Sequence, residues 1–349
     1  MVGMLHEALV KYEKLDTLLA DYIDNITYSN NVNVIIDLKS VYRKGYRTNT
    51  ESIISQQAVL IEDIVSFVLN MIGFYRHYLF KKDKYSTFYI LYSSQECQAL
   101  KDIFPNYKRY YYDKYFSDVN EYANLNHVFK TATKQLKILS KYIPNVFFID
   151  TSELDEFVYT NYIIREKVNK NDINLLLSND PVLYQTLNKN SIALDLKGLS
   201  SAVITEKKCI SYLIDSDTEI SGNILNIMLS ICGNELYSFP NIESYGYKKT
   251  FKIINKLYTD NILLDKTYMN CPVSELTKSP ILQNNIELIK TNFKAIFPIE
   301  IQFKNNIKLS TDFIIKKPKT TFQQFKELNE KIFLLFPLNI KFLLEGENL

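Results

Sequence analysis

An α/β fold, with a mostly parallel sheet flanked by helices on both faces, is predicted by two observations. Short apolar runs rich in β-branched and aromatic residues recur at Val32–Leu38, Thr87–Tyr92, Asn145–Ile149 and Asn174–Leu177. Each is too short for a core helix and too uniformly apolar for a strand with one face in water, so each reads as a strand buried on both faces. Longer stretches with apolar residues three and four apart separate them, and strand–helix–strand alternation is the signature of parallel crossovers. Aspartates at strand ends add a functional hint, because ligands of open α/β sheets collect at the carboxyl ends of the strands.

The elements follow in order. Leu5, Leu9, Tyr12, Leu15 and Leu19 share a helical face, so Met1–Ile26 is expected to form an amphipathic helix within an N-terminal unit of residues 1–30. The first strand ends on Asp37. Glu51–Leu79 carries a long helix pattern before the second strand. Residues 107–142 are polar, aromatic and basic, with two helix patterns. The third strand leads into a helix over Glu153–Lys167. The fourth delivers Ser178-Asn179-Asp180, and a helix pattern starts at once. After Gly198 the character changes: residues 220–265 look helical with a tight turn, and the remainder mixes helix with strand-like runs such as Ile299–Phe303. Without a Pro- or Gly-rich linker or an internal repeat, residues 31–197 are expected to form the sheet domain. Residues 198–349 would then form a mainly helical region packed against it.

Bulk properties narrow the function classes. A chain of 349 residues with 46% hydrophobic and 23% charged residues has enough apolar material for a sizeable core. No apolar run reaches the roughly 18–20 residues that span a bilayer, so no membrane role is expected. Glu7 and Glu13 interrupt the N-terminal segment, which does not read as a secretion signal; a cytoplasmic protein is expected. Cys97, Cys209, Cys232 and Cys271 are scattered, with no Cys-x-x-Cys pair, which argues against zinc and against a disulfide framework. Net charge is only +2, so any nucleic-acid binding must come from local patches. His6, His77 and His127 lie away from every motif below.

The chemistry-bearing segments occur in a definite order. Val34-Ile35-Ile36-Asp37 precedes Tyr42-Arg43-Lys44. Ile103-Phe104-Pro105-Asn106-Tyr107-Lys108-Arg109 follows the second strand. Ser152-Glu153-Leu154-Asp155-Glu156 follows the third, and Ser178-Asn179-Asp180-Pro181-Val182-Leu183-Tyr184-Gln185 the fourth. Then come Ile231-Cys232-Gly233-Asn234-Glu235-Leu236-Tyr237-Ser238-Phe239-Pro240 and Asn241-Ile242-Glu243-Ser244-Tyr245-Gly246-Tyr247-Lys248-Lys249-Thr250. Taken alone, each acid has an ordinary reading. A strand-end aspartate such as Asp37 or Asp180 is often a turn or helix cap, and Glu153 and Asp155 could simply favour a helix N-terminus.

In this collinear order the segments resemble the flap-endonuclease-like 5′–3′ exonucleases of the PIN-like superfamily, bacteriophage type. The resemblance implies a PIN/FEN-like sheet, a helical arch over residues 107–142 and a C-terminal helix-hairpin-helix at about residues 224–258. It also implies two divalent ions, Mg²⁺ or Mn²⁺, held by converging carboxylates for metal-assisted phosphodiester hydrolysis. The first ion would use Asp37, Glu153, Asp155 and Asp180, with Glu156 in place of a further aspartate. The second strand ends in Tyr92-Ser93-Ser94, with no acid before Glu96. The second ion would need acids where Val182, Asn234 and Tyr237 stand, and none of those three is an acid.

The implied metal chemistry is therefore one weakened Mg²⁺ or Mn²⁺ site at most. The implied DNA-binding residues are Lys44, Lys108, Arg109, Gly246, Lys248 and Lys249, with Lys252 nearby; Asn241 and Ser244 stand where the family places glycines. Tyrosines 110–112 and 115, interleaved with Lys108, Arg109 and Lys114 and followed by Lys130, Lys134, Lys137 and Lys141, suit either single-stranded DNA or a protein partner. The expectation is a catalytically degenerate, phage-encoded 5′-nuclease-like protein that binds flapped or single-stranded DNA or serves as a structural component. It would be located in the host cytoplasm or virion. Two alternatives stand beside it. One is an active metal-dependent 5′–3′ exonuclease or flap endonuclease with a rearranged or single-metal site, using Glu96, Glu156 or Glu235 as substitute ligands; the other is a virion protein that reuses the fold without binding DNA.

Overall fold

Asn31–Asp37 forms β1, the central strand, and every residue after Asn31 is buried because helices cover both sheet faces. The computed structural model describes residues 19–20, 22–23, 31–41, 57–92, 97–103, 105, 119–151, 155–167, 172–195, 203–216, 224–234, 239–264 and 268–297. Most of the expected N-terminal helix lies outside the described residues, as does Ile299–Phe303. Within the helix, Leu19 and Ile23 are helical and buried in the core.

β1 pairs in parallel with β2 (Tyr85–Tyr92) on one side and β4 (Ile173–Leu177) on the other. Outside these lie β3 (Val146–Asp150), parallel to β2, and β5 (Ser191–Leu194), parallel to β4. The short β6 (Val203–Thr205) closes the β5 edge in antiparallel fashion, giving the order β3-β2-β1-β4-β5-β6. The chain winds from β1 toward one edge and from β4 toward the other. Their shared carboxyl ends are thus the topological switch point, where a crevice opens in sheets of this kind.

The four expected strands are all present. β5 and β6 were not expected, since runs of four and three residues carry little periodic signal. The helix expected after β4 is instead one 3₁₀ turn, Leu183–Thr186. Asp180 Oδ1 accepts from the Val182 amide at 2.9 Å, the Thr186 hydroxyl donates to the Leu183 carbonyl at 2.7 Å, and Leu187 is already extended. Side chains that satisfy the backbone locally end the turn before a helix can propagate.

Alternation along the strands sends side chains to two cores. Val34, Ile36, Phe88, Ile90, Leu175 and Leu177 face a core formed with α1 (Gln57–Lys81) and α3 (Val119–Leu139). On α3, Val128, Ala132, Leu136 and Leu139 are buried while Lys130, Lys134 and Lys137 are exposed. The C-terminal part of the expected arch stretch is thus a core helix with a lysine face, and residues 106–118 lie outside the described residues. Between β2 and α3 lies the short α2 (Gln98–Ile103).

Ile35, Tyr89, Leu91, Ile149 and Leu176 face the other core. It is covered by α4 (Glu156–Asn161, continuing as a π-helical turn, Tyr162–Lys167), α5 (Cys209–Ile214), α6 (Leu225–Cys232), α7 (Tyr247–Thr259) and α10 (Ile286–Ile296). The short helices α8 (Val273–Leu276) and α9 (Pro280–Asn284) lead into α10. Residues beyond 198 therefore complete one face of the sheet and also contribute β6. Among the described residues, no helix is long and apolar enough to cross a membrane.

Asn292 joins the C-terminal helices. Fully buried on α10, its amide donates to the Ser230 carbonyl at 3.0 Å and the Pro240 carbonyl at 2.8 Å, tying α10 to the end of α6 and to the loop beyond it. Asn292→Leu strands both carbonyls from that donor and should lower unfolding free energy by about 2 kcal/mol. The urea midpoint measured by circular dichroism checks this.

Candidate functional site at the switch point

Asp37 is the last residue of β1 and lies directly beside the end of β4. The chain turns helical at 38–41, and Asp37 caps that turn: Oδ1 accepts from the Lys39 amide at 3.0 Å. Oδ2 accepts from two hydroxyls, Ser40 at 2.6 Å and Ser178 at 2.8 Å. The same hydroxyl oxygens accept in turn from backbone amides after β4, Ser40 from Asn179 at 2.9 Å and Ser178 from Asp180 at 3.0 Å. A buried carboxylate is costly unless donors surround it, and these serines provide them from both strands.

Asp180 is buried, and its Oδ1 caps the turn that contains Val182. Val182 is only 2% exposed and packs into the core that holds α4 and α6. The Tyr184 hydroxyl donates to the Ser178 carbonyl at 3.1 Å, and burial holds its pKa well above the ordinary value. Asp155 is the N-cap of α4, accepting from the Phe157 amide at 3.2 Å, at a backbone φ of +79°. A side-chain-bearing residue there costs about 1–3 kcal/mol, so the surrounding packing must impose the conformation.

Glu156, in the first turn of α4, is 1% exposed and forms an ion pair with Lys39, Nζ to Oε1 2.6 Å; the lysine side chain is 22% exposed. Sequence reasoning missed both Lys39 and Ser40. Their only signal was position, since each falls on the turn that Asp37 caps.

Asn234 lies on the loop after α6. Its backbone forms a two-way bridge with Phe239, amide to carbonyl at 3.1 and 3.0 Å. Gly233 makes that loop possible: at φ +66°, a Cβ would lie 2.5 Å from the Phe239 carbonyl oxygen. Ser244 adopts φ +66° in the turn before α7, the conformation glycine would have supplied. Gly246 caps α7 at φ −87°, with open space where a Cβ would go, so its position requires no glycine. Lys248 and Lys249 occupy the exposed first turn of α7. Lys248 lies 3.6 Å from Asp215, and Lys249 sits over the Tyr245 ring at 5.8 Å. Lys44, Glu96, Lys108, Arg109, Glu153, Glu235 and Tyr237 lie outside the described residues.

The strand ends thus bring Asp37 and Asp180 together through Ser178, and connect Glu156 to the same turn through Lys39. Two aspartates cap turns, and Asp155 caps a helix. Among the described residues no three acidic, histidine or cysteine side chains converge on one point. Burial pushes the Cys209 and Cys232 thiols up to about 12, so neither supplies a thiolate near neutral pH. A divalent ion of the Mg²⁺ class needs several oxygens at about 2.0–2.1 Å. The described side chains do not fit that requirement: their oxygens serve internal donors, and an ammonium stands on Glu156.

No protein-family model matches the chain, and no curated protein does. Solved structures do. A 5′-exonuclease from T5 with zinc bound superposes with a TM-score of 0.57 at 14% identity, over 86% of this chain and 97% of that one. The bacteriophage T5 flap endonuclease, in a pseudo-enzyme–product complex with DNA and metal ions, superposes at 0.52 with 15% identity over the same shares. The likeness is one of fold.

Ser178→Ala removes a donor from the buried Asp37 carboxylate and an acceptor from the Asp180 amide, and should cost about 2 kcal/mol in urea unfolding. Gly233→Ala should cost about 2 kcal/mol or more, from its positive φ and the collision with Phe239, whereas Gly246→Ala should stay under about 1 kcal/mol. Paired thermal melts of the two glycine variants separate the site that needs glycine from the one that does not.

Proposed function

We propose that this chain, which has the flap-endonuclease-like 5′–3′ exonuclease fold, is a catalytically degenerate nuclease-like protein that holds DNA instead of cutting it. One observation carries the reading: the acids at the switch point are engaged by the protein's own donors. Asp37 accepts from Ser40, Ser178 and the Lys39 amide, Asp180 and Asp155 cap backbone turns, and Glu156 is paired with Lys39. Val182 and Asn234, at two positions where the resemblance calls for acids, are a core side chain and part of a backbone bridge. Metal-assisted hydrolysis requires carboxylates that converge on an ion and balance its charge.

Two basic surfaces support the DNA half of the reading. Lys130, Lys134 and Lys137 project from the exposed face of α3, with exposed Lys141 just beyond it. Lys248 and Lys249 stand where backbone amides at the start of α7 are available to a phosphate. Helices α6 and α7 with the Ser244 turn between them read as a degenerate helix-hairpin-helix, with serine adopting the left-handed conformation of a lost glycine. The fold is shared with an endonuclease captured with DNA. Such a protein would be phage-encoded and act in the host cytoplasm or the virion.

Incubation of wild type and Asp180→Ala with a 5′-flap duplex, first in Mg²⁺ and then in Mn²⁺, should give no cleavage by either protein. Cleavage by wild type that disappears in Asp180→Ala would overturn the degenerate reading. In the same buffer, wild type should bind the flap with an affinity that falls steeply with salt. Joint Lys248→Glu and Lys249→Glu substitution should weaken it by about tenfold or more, since each reversed charge opposes a phosphate contact. Salt-insensitive or undetectable binding would reject DNA as the partner and favour a scaffold that contacts protein.

A further inference from the structure

We propose that Lys39 is the resident cation of the switch point, an ammonium that takes the electrostatic place of a divalent ion at the head of α4. The inference rests on the degenerate reading above and adds to it an origin for the missing positive charge. Acids gathered at the end of a parallel sheet repel one another unless a cation sits among them. Removing the ion from such a site leaves buried negative charge, and the protein must either discard the acids or supply a charge of its own. Here both Asp37 and Glu156 are acids and almost wholly buried, and Lys39, two residues beyond Asp37, reaches across to Glu156.

The local geometry shows how the lysine is aimed. Asp37 Oδ1 caps the turn at 38–41 through the Lys39 amide, which fixes the lysine backbone two residues beyond the strand end. Its side chain then crosses to the first turn of α4 and reaches Glu156 Oε1 at 2.6 Å, a close ion pair. An ammonium at that distance opposes a dication at the same oxygen, because the two positive charges repel at close range. The glutamate is 1% exposed, and the ammonium nitrogen is buried with it although 22% of the lysine side chain is exposed, so the charge pair is shielded from solvent. The switch point therefore holds a fixed, buried cation that needs no metal to be loaded and that a chelator does not remove.

A merely structural ion pair and a resident cation differ in one measurable respect: only the second, when removed, should open the site to metal. The experiment compares full-length wild type, Lys39→Arg, Lys39→Met and Lys39→Met with Glu156→Gln. Bound Mn²⁺ is counted by electron paramagnetic resonance, and thermal melts are run in EDTA and in Mn²⁺. Wild type and Lys39→Arg should melt within about 1 °C in EDTA and in roughly 5 mM Mn²⁺, because an ion that does not bind the native state cannot stabilise it.

Lys39→Met should melt lower in EDTA, recover at least about half of that loss in Mn²⁺, and bind Mn²⁺ at least about tenfold more tightly than wild type. The double variant should lose the response. Wild type that takes up Mn²⁺ below about 1 mM, with the uptake abolished by Glu156→Gln, overturns the proposal, as does a Lys39→Met protein whose Mn²⁺ affinity is unchanged. The wild-type titration decides the matter even if Lys39→Met fails to fold. Mn²⁺ uptake by wild type without cleavage of the flap duplex rejects the resident cation alone, whereas cleavage rejects the degenerate reading beneath it.

Discussion

The buried carboxylate of Asp37 ties together the two halves of the sheet. It ends the central strand at the point where the winding reverses, and its oxygens accept from Ser40 on its own side and Ser178 on the β4 side. Other features depend on those two hydroxyls. They accept from the Asn179 and Asp180 amides, and so orient Asp180 to cap the turn that follows. The Tyr184 hydroxyl closes the turn on the Ser178 carbonyl, and the chain leaves directly for β5. The short connection between β4 and β5 thus follows from how one buried negative charge is satisfied.

The same logic explains why acids persist at strand ends where the described residues form no metal centre. A carboxylate is a strong acceptor for backbone amides left open where a strand stops or a helix starts. Asp37, Asp155 and Asp180 each fill that role, and Asp155 does so at a strained φ that the surrounding core must hold. Glu156 adds an ion pair with an ammonium, that of Lys39. A full opposite charge offsets its burial.

The C-terminal helices bear directly on the site. Gln185, in the 3₁₀ turn after β4, donates to the Ile296 carbonyl at 3.3 Å, and the Phe157 and Phe297 rings meet 5.6 Å apart. The end of α10 therefore rests on both the β4 turn and the start of α4. Asn292, one turn earlier, fixes α10 to α6 and to the loop that Gly233 allows. α6, α7 and α10 all pack into the core that lies against the switch point.

The sequence by itself determined the α/β class, four of the strands, and the placement of acids at their ends, because burial on two faces and helical periodicity are local properties of the chain. It also showed that Val182 carries no charge where the resemblance calls for one, since residue identity needs no coordinates. β5 and β6 escaped it, because runs of three and four residues become strands only when a neighbouring edge supplies hydrogen-bond partners. The helix read after β4 became a 3₁₀ turn for a similar reason: Asp180, Gln185 and Thr186 bind backbone groups that a helix would have used. The role of each acid was decided in three dimensions. Whether a carboxylate holds an ion or caps a turn depends on which donors reach it, and Ser178 and Lys39 reach Asp37 and Glu156 only because parallel pairing and the α4 crossover bring distant segments to the same strand ends.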